Sequence, residues 1–231
     1  MTLVWIAVGL VILAAAAAGL VECWPAAALV LALHYLGASL LLAATVGPAP
    51  CLSAAIVGAA VSAIAADVPV AALARLVNRG TWAAPRLARP GIASIRARAF
   101  DLSVSAVAIA GAVELALAHP LLGSRAVDAA VGVLALGGLA SCLWSVRGRG
   151  IAPRAAVGLL SLALAGQVAL SEAGRAPSPA ETLLLAAFQL LLSLAAVHLR
   201  AADEGRGAGG TAVGRSAEPT PVGARGEEAE G

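Results

Sequence analysis

Long uncharged stretches, each close to the thickness of a bilayer, constrain this chain more than any other feature. A hydrocarbon core needs about 20 apolar residues per helix. Seven stretches meet or approach that length: 3–21, 25–46, 51–72, 100–122, 126–146, 155–173 and 180–200. Within lipid each backbone N–H and C=O must be satisfied by the protein itself, which leaves helices or closed barrels. Continuous apolar runs of this length read as helices, so the expected fold class is all-α: a polytopic membrane bundle of about seven transmembrane helices. Composition agrees. Of the 231 residues, 61% are hydrophobic and 12% charged, against about 25% charged in a soluble domain. A soluble core of this size cannot enclose that much apolar surface.

The few charges then decide how such a bundle is threaded. The chain has no lysine, and its fifteen basic residues are all arginine. Six of them, Arg75, Arg79, Arg86, Arg89, Arg96 and Arg98, crowd the connection between the third and fourth stretches. Seven spans place this connection, the 147–154 connection and the C-terminal tail on one side. Ten arginines at or near the membrane then lie there, counting only Arg200 from the tail, against Arg125 and Arg175 on the other. Arginine-rich short loops stay in the cytoplasm, so the expected topology is N-out and C-in. The six loop arginines are expected to act as topology anchors and as contacts to anionic lipid headgroups, each worth about 1 kcal/mol near the surface.

Local punctuation supports the same divisions. Residues 1–4 lack the positive charge of a signal peptide, and Glu22 precedes Cys23 where a lipoprotein cleavage site has a small residue. The first stretch is therefore expected as a retained helix. Gly47-Pro48-Ala49-Pro50 reads as a turn. Gly58, Ser62 and Ala66 at four-residue spacing read as a face for close helix approach. Asp67 and Pro69 fit the start of a short interfacial helix ending near Gly80. Beyond Arg200 the tail has no apolar period, and 201–231 is expected to be a disordered cytoplasmic segment. Trp5, Trp24, Trp82 and Trp144 fall near span ends, where tryptophan anchors a bundle to the interface.

Intramembrane polar residues are the best pointers to a site. His34, Glu114, Gln167 and Gln189 fall near the middle of four different stretches, with Ser193 one turn beyond Gln189. At similar depth they are expected to meet in the bundle interior. Glu114 paired with His34 would suit proton or cation passage. The plainer reading is hydrogen bonding between helices, at about 1 kcal/mol or less per contact. Asp101 is expected beside Arg98, while Asp67 and His119 read as interfacial. Cys23, Cys51 and Cys142 are isolated and read as small apolar packers.

The chain carries no phosphate-binding glycine loop, no zinc-protease pair, no nucleophile elbow and no cysteine pairs with metal spacing. Its basic charge follows a membrane pattern, not that of a nucleic-acid binder. The absence of lysine excludes a retinal Schiff base. No catalytic residues, cofactor or metal are expected, and the expected partners are the lipid bilayer and other membrane subunits. A lipid-modifying enzyme using the loop arginines ranks last, for want of a nucleophile, base or metal set.

From Ala126 to Arg200 the order is helix, arginine-rich turn (RGRGIAPR, residues 147–154), helix, proline-containing turn (RAPSPAE, residues 175–181) and helix. With HYLGASLLL at 34–42, this resembles a small multi-pass subunit of formate-hydrogenlyase-type hydrogenases, which are related to respiratory complex I. The resemblance covers about a third of the chain. It implies a non-catalytic part of a membrane arm, with buried polar residues linked to proton movement. Two positions depart from that pattern. The third stretch has no lysine, and the sixth has Gln167 where the family has an acid, so no site residue is carried over. The leading expectation is a non-catalytic subunit or scaffold of a membrane complex. The alternative is a small-solute or proton transporter using Glu114 and His34.

Overall fold

A computed structural model of the chain describes residues 2–21, 23–66, 92–122, 124–145, 151–173 and 178–213. It is all-helical among these residues. The helices are α1 (Thr2–Ala18), α2 (Trp24–Thr45), α3 (Pro48–Ala66), α4 (Ile92–Ala118), α5 (Arg125–Trp144), α6 (Ile151–Glu172) and α7 (Pro179–Val213). Five of them, α2 to α6, contain a segment long and apolar enough to cross a membrane. Two shorter apolar helical segments lie at Thr2–Ala18 and Ala180–Ala196. The protein is a membrane-embedded helical bundle.

The helices form two layers. α4, α1, α2 and α3 lie side by side in one, and α5, α6 and α7 in the other. Across the layers α4 and α1 pack on α5, α2 on α6, and α3 on α7. The interior is built from small residues, among them Ala7, Val11, Ala27, Ala38, Val61, Ala130 and Val133. Leu31, Leu41, Leu42, Leu134, Leu160 and Leu164 fill the space between them, while many other large apolar side chains turn outward, with Leu29 at 63%, Ile56 at 68% and Leu183 at 71% exposure. So large an exposed apolar surface suits lipid, which solvates leucine well, and helix association then rests on close packing.

Two contacts display that packing. In α3, a Cβ added to Gly58 would lie 2.6 Å from Tyr35 Cγ, so the α2 ring rests on the α3 backbone. Between α5 and α6, a Cβ on Gly158 would lie 2.6 Å from the Gly138 carbonyl oxygen and 2.8 Å from the Cys142 nitrogen. The backbones of these two helices touch, and only glycine fits at the crossing.

Some boundaries move from those expected. α3 starts at Pro48 rather than Cys51, because proline is tolerated in a first turn whose N–H groups have no helical acceptor. Gly47, at φ 138°, makes the reversal, and its N–H donates to Leu42 O at 2.9 Å. α4 starts eight residues before Phe100, directly after Pro90-Gly91, so Arg96 and Arg98 stand on a helix rather than in a loop. α7 runs on to Val213, into the segment expected to be disordered. Once a helix is nucleated each further residue adds a hydrogen bond, and Ala201-Ala202-Asp203-Glu204 does not interrupt it. The interfacial helix expected after Asp67, together with Arg75, Arg79, Arg86 and Arg89, lies outside the described residues, as does 214–231.

Candidate functional site

Three helices bring polar side chains together inside the bundle. α2 contributes His34 and Tyr35, α6 contributes Ser161 and Gln167, and α7 contributes Gln189. All five are buried, Gln189 completely. Tyr35 Oη donates to Gln189 Oε1 at 3.1 Å. Gln189 Nε2 donates in turn to Gln167 Oε1 at 2.9 Å. One phenol and two amides thus tie the two layers across α2, α7 and α6.

His34 lies beside this chain but belongs to a second contact. Its Nδ1 shares a 3.1 Å hydrogen bond with Ser161 Oγ of α6. Its Nε2 is enclosed without a partner among the described residues. Ser193 turns back to its own helix and donates to Leu190 O. A groove of about 290 Å³ opens between α2 and α3, lined in part by Tyr35, Leu36, Gly58 and Ser62.

Glu114 stands apart from all of this. It is exposed on the outer face of α4, four residues from the helix end. It has no hydrogen bond or ion pair among the described residues. The expected meeting of four polar residues therefore holds for Gln167 and Gln189 alone. His34 is engaged nearby, and Glu114 is turned away. The cause is rotational. α4 buries Ser105, Ala112 and Ala116, and Glu114 lies two residues, about 200° of helical turn, past Ala112.

An ion pair among the described residues lies at the arginine-rich end. Arg154, in the first turn of α6, is 9% exposed in its side chain and pairs with Asp101 of α4, Nη2 to Oδ2 at 3.1 Å. Its Nε donates to Val21 O at 2.8 Å, and Nη2 donates to Gly19 O at 3.4 Å. One guanidinium thus joins α6, α4 and the α1–α2 connection. The expected pairing of Asp101 with Arg98 rests on a side chain outside those described, while Arg154 counts in the sequence only as one more topology arginine. The available signal was Arg154 directly after Pro153, where a helix entering the bundle carries its first side chains inward.

The opposite end is tied by neutral and carboxylate contacts. Thr45 donates to Glu172. Asp128 accepts from the N–H groups of Leu121 and Leu122 at 2.9 and 3.1 Å. Ser178 and Glu181 form a reciprocal capping box at the start of α7. The three cysteines are free, and His119 is exposed. Among the described residues no three metal-ligating side chains gather.

The interior is therefore a set of interhelical ties. Replacing Gln189 by leucine would strand Tyr35 Oη and Gln167 Oε1 together, with an expected loss of about 1–2 kcal/mol. Denaturant titration in detergent micelles would measure it, and an unchanged midpoint would deny the chain of hydrogen bonds any role in stability. No family model, curated protein or solved structure matches this chain.

Proposed function

We propose that the protein is a non-catalytic integral subunit or scaffold of a membrane complex. It sits in the cell membrane of a bacterium, with its N-terminus outside and its C-terminus in the cytoplasm. One observation carries this reading. The buried polar side chains Tyr35, Gln189 and Gln167 bond to one another across helices, whereas Glu114, an acidic side chain within the candidate span of α4, faces outward from the bundle. A pathway for ions needs its titratable group on the route, while a subunit needs an outer face that another protein can cover. The arginine asymmetry supports the orientation. The resemblance to hydrogenase membrane subunits supports the same class of role, without its proton-handling residues.

A proton or small-solute pathway through His34 and Glu114 is the second reading, favoured by the enclosed, unpartnered His34 Nε2. Acid-pulse measurements on sealed proteoliposomes separate the two. The subunit reading expects leak no greater than in empty liposomes, and migration with other polypeptides at fixed stoichiometry when native membranes are solubilised gently. Flux that Glu114→Gln abolishes would replace it with the transporter reading.

A further inference from the structure

We draw no further inference here: the strongest candidate, the groove between α2 and α3 lined in part by Tyr35, Leu36, Gly58 and Ser62, is an apolar recess whose unpartnered hydroxyl, Ser62 Oγ, is itself enclosed, and nothing in the structure shows what covers it.

Discussion

Replacing Arg154 by alanine is expected to cost about 3–5 kcal/mol, because it leaves Asp101 as an uncompensated, largely buried charge. The guanidinium also closes the Val21 and Gly19 carbonyls, which the alanine would abandon. Thermal aggregation in detergent and urea titration would both register the loss. Removing both partners at once should hurt less than the sum of the single changes, since an ion pair replaced by apolar groups is often close to neutral. A coupling of about 0.5–3 kcal/mol in the double-mutant cycle would be the signature. Arg154→Lys should not rescue fully, for a single ammonium lacks the planar fork that reaches Asp101 and Val21 O together. If Arg154→Ala unfolds no earlier than the parent, the ion pair is a surface contact and the α1–α2 connection is held by something else.

Gly158→Leu is expected to have an effect of similar size through a different cause. At the α5–α6 crossing the space beyond Gly158 is filled by the Gly138 carbonyl, the Cys142 nitrogen and the Cys142 sulfur. Backbone atoms cannot swing aside as a side-chain end can, so the two helices must separate. Overpacking of this kind costs about 3 kcal/mol, the upper end of its usual range. Gly158→Ala should fall between leucine and the parent. Gly166→Ala, on the same helix with no atom within 4 Å of an added Cβ, should be neutral or mildly stabilising, as glycine is a poor helix former. Melting curves of the three variants in one detergent would rank them. A Gly158→Leu protein as stable as Gly166→Ala would mean that the two backbones do not touch.

These two residues illustrate what could be read in advance and what could not. Residue type and spacing placed the central part of each of the seven helices, because a run of apolar residues in lipid has few alternatives to a helix. The ends were less legible. Pro48 and Ile92 begin helices earlier than the apolar pattern does, since the backbone enters the helix before the side chains enter the apolar region. Gly158 and Gly138 were two among 25 glycines, and nothing in one dimension marks which pair will cross. Arg154 looked like its neighbours Arg147 and Arg149 until α4 and the α1–α2 connection closed over it.

The candidate site divides along the same line. The sequence by itself determined that the protein belongs in a membrane, which segments reach hydrocarbon, and roughly how deep Gln167, Gln189, His34 and Glu114 lie, because depth follows from position along a helix at a fixed rise per residue. Only the tertiary structure decided their azimuth. It turned Gln167 and Gln189 toward each other, gave His34 to Ser161, and left Glu114 outside, because rotation about a helix axis is set by the neighbours it packs against. In this chain those neighbours meet through alanine, glycine, valine and leucine, which are too common along every helix to reveal the pairing.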